Sequence, residues 1–171
     1  DQTLSISGDT LYISEGNSVA LTSYKTTSSV SSMNDLSDGL VETNSFYIGN
    51  DPSSTTNSAQ YNLSVGTTAL DAVTTGDDNV AIGYNAGTNI AAGTKNIAIG
   101  SEALEALTDR DGSVAIGYRA LKNATTTGNV AIGSEAMRDL NTDGTANGSQ
   151  NVAIGANALR AAPSAVNTVA I

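Results

Sequence analysis

The sequence predicts an all-β parallel solenoid of coils about 17 residues long, and three observations carry that reading. A tetrapeptide of the form apolar–Ala–Ile–Gly recurs along most of the chain, as in Val80-Ala81-Ile82-Gly83, Ile97-Ala98-Ile99-Gly100 and Val114-Ala115-Ile116-Gly117. Its glycines fall at Gly49, Gly66, Gly83, Gly100, Gly117, Gly133 and Gly155, with spacings of 17, 17, 17, 17, 16 and 22 residues. Aromatic residues make up only 4% of the chain, which suits a thin core repeated along an axis rather than one central core. An amphipathic helix is ruled out by the frequency of glycine and β-branched residues.

Each column of the repeat has a physical reading. Val-x-Ile alternates with the period of a strand that has one apolar face. A coil of this size buries little alone, but stacked on its neighbours at about 4.8 Å it makes a continuous core. The valine and isoleucine columns are expected to form that core, and the glycine marks a corner where a Cβ would clash or φ is positive. Four residues before the glycine stand Ser45, Asn62, Asn79, Asn96, Ser113, Asn129 and Asn151, a column suited to a ladder of side-chain amides. Three and four residues after it come Ala69-Leu70, Ala86-Gly87, Ala103-Leu104, Ala120-Leu121, Ala136-Met137 and Ala158-Leu159. The chain closes on Val169-Ala170-Ile171, inside a further copy, so a fragment of a longer array is expected.

Alanines Ala81, Ala98, Ala115, Ala131 and Ala153 lie between the valine and isoleucine columns and are expected on the opposite face of the strand. A solvent-facing strand usually carries Thr, Lys or Glu there, so this small apolar column is expected to pack against other copies of the chain around a shared axis.

Residues 45–171 hold the repeats, and the first 44 differ. Leu4/Ile6, Leu11/Ile13 and Val19/Leu21 alternate as three short strands, with Ser7-Gly8-Asp9 and Glu15-Gly16-Asn17 as turns, giving a small β module over 1–21. A Ser/Thr-rich connector is expected over 22–44, in which Met33, Leu36 and Leu40 have helical spacing interrupted by Gly39.

Composition narrows the function. The chain has no cysteine and no histidine, which removes disulfides, thiol nucleophiles, histidine bases and His/Cys zinc sites. A formal charge of −10 disfavours nucleic acid and anionic membrane surfaces, and no apolar run approaches a membrane span. No basic region followed by an apolar stretch stands at the start of the sequence, so either a mature fragment or export by another route is expected.

Asn-Val-Ala-Ile-Gly-Tyr-Asn-Ala (79–86) and Ser-Val-Ala-Ile-Gly-Tyr-Arg-Ala-Leu (113–121) resemble two related repeat classes. One is the left-handed β-roll head of trimeric autotransporter adhesins; the other is the Gly-Tyr-x-Ala-Leu repeat of phage tail fibres and large bacterial surface proteins. The 17-residue period is closer to the second. The resemblance implies a left-handed roll, an intertwined homotrimer, a structural or adhesive fibre segment on a virion or a cell surface, and no catalytic residues. Partners would be the chain itself, other fibre or tail proteins, and a host-surface glycan or protein. The rival readings are a bacterial adhesin head and a polysaccharide-degrading tailspike, the latter disfavoured by turn acids without an aromatic platform. The start of the chain, Leu4-Ser-Ile-Ser-Gly-x-x-Leu-x-Ile, also resembles a small phage-fibre module.

Candidate sites are few. Asp109-Arg110-Asp111-Gly112 and Asn141-Thr142-Asp143-Gly144 resemble pieces of a calcium loop but lack its ligand count, so turn chemistry is the expectation and Asp109, Asp111 and Asp143 remain weak metal candidates. No cofactor is expected. Glu102, Arg119 and Glu135 share the column two after the glycine, with alternating sign; a register device is expected there, with a receptor patch as the alternative. The spacing of 22 enlarges the turn over 139–150, which makes Asp139, Asn141, Asp143, Asn147 and Gln150 the receptor-contact candidates.

Overall fold

The structure, a computed structural model, describes residues 4–7, 10–13, 17–20, 39–42, 44–49, 52, 56, 58–140, 148–162 and 164–171. The chain divides into two units, Asp1–Ser32 and Met33–Ile171. In the first, β1 (Leu4–Ser7), β2 (Thr10–Ile13) and β3 (Asn17–Ala20) form an antiparallel meander, with Leu4 opposite Ile13 and Leu11 opposite Val19. Leu21 lies outside the described residues.

The second unit is the solenoid. Eight parallel strands stack in sequence order: β5 (Ser45–Ile48), β6 (Leu63–Val65), β7 (Val80–Ile82), β8 (Ile97–Ile99), β9 (Val114–Ile116), β10 (Val130–Ile132), β11 (Val152–Ile154) and β12 (Val169–Ala170). Every pairing is in repeat register, Ala81 on Ala98 on Ala115 on Ala131 on Ala153, including across the 16- and 22-residue coils. No helix occurs among the described residues. The connector expected over 22–44 contains a strand, β4 (Gly39–Glu42), antiparallel to β5, so Leu40 sits in a hairpin over the edge of the first coil and not in a helical turn. Met33 and Leu36 lie outside the described residues.

The strand faces are the reverse of the expectation. Ala81, Ala98, Ala115, Ala131 and Ala153 are fully buried inside their own chain, whereas the flanking residues point outward, with Ile82 and Ile132 each 37% exposed. The alanines are therefore not available to another chain. The reason is volume. Across most coils from the strand stand an Ala-Leu pair (Ala-Met at Ala136-Met137) and a further apolar residue, as in Ala103, Leu104 and Leu107, all buried; at Ala86-Gly87 the buried Ile90 supplies the bulk. Leucine fills the narrow interior only if the strand answers with alanine. In the first coil, where the Ala-Leu pair is replaced by Pro52-Ser53, the alanine position holds the buried Tyr47.

The leucines sit in left-handed backbone, with φ of 52° at Leu104 and 51° at Leu121, a conformation held by burial. The corner glycines are required for two reasons. Gly117 has φ of +135°, and a Cβ built there would lie 2.5 Å from the carbonyl oxygen of Gly133 on the next coil.

The asparagine column forms the expected ladder. The Asn79 carboxamide oxygen accepts the backbone N–H of Asn96 at 3.0 Å, and the Asn96 oxygen accepts that of Ser113 at 3.0 Å. Each Nδ2 also donates to a carbonyl of the next coil, Asn79 to Gly93 at 2.9 Å and Asn96 to Arg110 at 2.7 Å. These side chains are buried, so the pairing satisfies backbone groups that would otherwise be left without partners. A serine hydroxyl can take the same place, as Ser45 does for the Asn62 N–H at 3.0 Å, but at Ser113, ahead of the 16-residue coil, the bond is long: the Asn129 N–H reaches the hydroxyl at 3.5 Å, and the Asn129 amide donates to Thr126 within its own coil.

Candidate functional site

Two surfaces of the solenoid carry chemistry. The first is the outer face of the strands. A pair of aliphatic residues repeats there on each coil from β6 to β11, beginning with Leu63/Val65, Val80/Ile82 and Ile97/Ile99 and continuing to Val152/Ile154. Ile82, Ile132 and Ile154 are 37–40% exposed and the others mostly half-buried. At about 4.8 Å per coil the stripe runs roughly 30 Å and is two residues wide. Tyr84 and Tyr118, one residue after the corner glycine, are exposed beside it.

The second surface is the turn segment after the glycine. Among the described residues its second position is left-handed in each coil from Thr68 to Asn157, with φ of 59° at Glu102, 56° at Arg119 and 56° at Glu135, so these side chains project in register. The Arg119 guanidinium donates from Nε to Glu102 at 2.8 Å and from Nη2 to the same carboxylate at 3.4 Å. Lys122 donates to Glu102 as well and forms an ion pair with Glu105 at 3.1 Å. Hydrogen bonds from Arg119 and then Lys122 hold the Glu102 carboxyl at about 2, against an ordinary 4.5. Glu135 does not pair with Arg119; its partners are Arg138 at 3.3 Å and Arg160, one coil on, at 2.8 Å. Arg138 also grips Asp139, with Nη2 at 2.7 Å, and Asn123 donates to Asp139 at 2.8 Å. Arg138 is the chief reason that the Asp139 carboxyl titrates below its ordinary range. Arg119 additionally lies over the Tyr118 ring, 4.7 Å from its centre.

Between these coils opens a cleft of about 200 Å³ lined by Arg119, Lys122, Asn123, Arg138 and Asp139. Of the receptor-contact candidates, Asp139 reaches this cleft and Gln150 is exposed in a left-handed turn; Asn141, Asp143 and Asn147 lie outside the described residues. Lys122, Asn123 and Arg138 were not anticipated from sequence. Their signal was a second charged column, five residues after the glycine: Asp71, Glu105, Lys122, Arg138 and Arg160.

The metal candidates do not converge. Asp111 uses its carboxylate on the coil below, accepting the Thr94 N–H at 2.7 Å, as Asp77 accepts that of Gln60 at 2.8 Å. Asp109 is exposed, Asp143 lies outside the described residues, and among the described residues no cluster of three acids could hold an ion. Comparison with family models, with curated proteins and with solved structures finds no match. The reading of function therefore rests on the two surfaces alone.

Proposed function

We propose that this chain is a structural and adhesive fibre segment: a stiff homotrimeric shaft or head of a phage tail fibre, acting at a host surface and without catalytic function of its own. One observation carries the reading, the continuous apolar stripe on the outer strand face. An exposed apolar ladder of that length marks a surface that is covered in the working protein. Its pitch favours one kind of cover. A partner that matches two apolar residues every 4.8 Å over several coils is best supplied by another copy of the same solenoid, aligned along the same axis. The stripe is narrow, which suits three chains meeting at a central seam rather than two broad faces meeting flat. Stiffness follows from the coil-to-coil hydrogen bonding of strand, turn and asparagine column, which leaves no hinge between Asn62 and Leu140.

Light scattering on the purified chain tests the assembly. A mass about three times 17.2 kDa is expected, together with β-type circular dichroism. A monodisperse monomer at micromolar concentration with intact β signal overturns it. Binding of the labelled protein to intact bacterial cells tests the attachment role.

A further inference from the structure

We infer that the cleft on the turn face is a subsite for a carboxylate-bearing sugar of the uronic or sialic acid type. The inference deepens the attachment reading and takes its biological setting from it. The first observation is where the positive charge sits. Four of the chain's seven basic residues, Arg119, Lys122, Arg138 and Arg160, are gathered on adjacent coils with four of its seventeen acids. This patch is neutral, so the net charge of −10 belongs wholly to the rest of the molecule. A ligand carrying one negative charge meets least repulsion here, and the remaining charges are screened beyond about 8 Å at physiological salt.

The second observation is donor capacity. Arg119 places Nε and Nη2 on Glu102, and among the described residues its Nη1 has no acceptor. The Lys122 ammonium has three donors, one of which goes to Glu102, with Glu105 beside it as an ion-pair partner. Both groups line the cleft, so a carboxylate entering it finds a guanidinium edge and an ammonium proton together. Their ion pairs hold them in place before the ligand arrives, which lowers the ordering cost of binding.

The remaining lining selects against a simple anion. Asn123 and Asp139 form the other wall, and an acidic wall disfavours a doubly charged phosphate while offering hydrogen-bond partners to hydroxyls. A volume of about 200 Å³ accommodates a single sugar ring. The cleft lies on the turn segment and not on the strand face, so occupation of the strand face by other copies leaves it a separate surface.

Titration of the isotope-labelled full chain with sodium glucuronate, followed through its NMR amide and arginine Nε–H signals, tests the assignment. Glucose and inorganic phosphate serve as separate arms. A millimolar dissociation constant for glucuronate is expected, with shifts centred on Arg119, Lys122 and Asn123 and with neither glucose nor phosphate binding as well. Arg119→Gln should weaken glucuronate at least about tenfold, and Lys122→Met serves the same purpose if the first variant does not fold. Arg110→Gln removes the same charge from an exposed turn away from the cleft and should leave binding within about twofold. No saturation by about 20 mM, equal binding of glucose, phosphate binding as tightly as glucuronate, or equal loss in Arg110→Gln and Arg119→Gln would each overturn the assignment. Because assembly is read separately from mass, a trimer without sugar binding defeats this inference alone, and sugar binding by a monomer defeats the trimer alone.

Discussion

The asparagine column and the charged columns both tie each coil to the next, one from inside the protein and the other from its surface. Asn79 and Asn96 are fully buried and repeat the same two bonds from coil to coil. Arg119 and Lys122 are a quarter to a third exposed, alternate with acids, and choose partners irregularly, so that Glu135 skips Arg119 in favour of Arg138 and Arg160. Burial explains the difference. A buried amide or carbonyl without a partner costs about 1–3 kcal/mol, so the ladder tolerates little variation. An exposed ion pair contributes under about 1 kcal/mol, so the charged columns are free to vary and to take on recognition. The inner ladder defines the fold; the outer columns differ from coil to coil and carry what individuality the solenoid has.

Three substitutions sharpen that contrast, in falling order of effect. Gly117→Val strikes both requirements of the corner at once, positive φ and contact with the Gly133 backbone. A loss on the order of 4 kcal/mol in thermal or denaturant unfolding is expected, from strain and overpacking together. Unchanged stability would mean that the coil corners are misplaced. Asn96→Ala removes the acceptor of the buried Ser113 N–H and the donor to the Arg110 carbonyl. It should cost about 2–3 kcal/mol, whereas Ser113→Ala, at the place where the ladder is already weak, should cost less than half of that. Equal losses at the two positions would contradict the role given to the amide.

The smallest effect concerns Glu102. Its carboxyl is held low by Arg119 and Lys122, so its contribution is present above its ordinary value of 4.5 and is lost as pH falls through about 2. Glu102→Gln should therefore lower stability by less than about 1 kcal/mol at neutral pH, the side chains being partly in solvent. Wild type and variant should converge as the pH drops from 4.5 towards 2. A difference that grows on acidification would reverse the assigned sign.

How much of this was legible in the sequence varies from column to column. The coil length, the glycine corners and the asparagine ladder could be read because each depends on one residue type recurring at one spacing. The direction of the strand faces could not. Period two says that Ala98 opposes Ile97 and Ile99, but not which side is the interior, and the usual preference for large residues inside points the wrong way here. The deciding fact lies across the coil, where Leu104 and Leu107 already fill the core and leave room only for alanine. The antiparallel β4 was hidden for a different reason, since Gly39-Leu40-Val41-Glu42 belongs to no repeat and its strand conformation comes from pairing with β5. The charged cleft was half visible: Glu102, Arg119 and Glu135 share a column, but the cleft needs Lys122, Asn123 and Arg138 from the following positions and the adjacent coil.

Assembly depends on which face of the strand meets another chain. The protein contains no cysteine, so a single introduced thiol reports on one position at a time. Ala98→Cys and Ile99→Cys differ by one residue, with one side chain inside the coil and the other on the outer stripe. Under mild oxidation or a short bifunctional maleimide, Ile99→Cys is expected to yield cross-linked pairs of chains on a denaturing gel, at about twice 17.2 kDa, while Ala98→Cys stays uncross-linked, both retaining β-type circular dichroism. Efficient cross-linking through Ala98→Cys with none through Ile99→Cys would contradict the account.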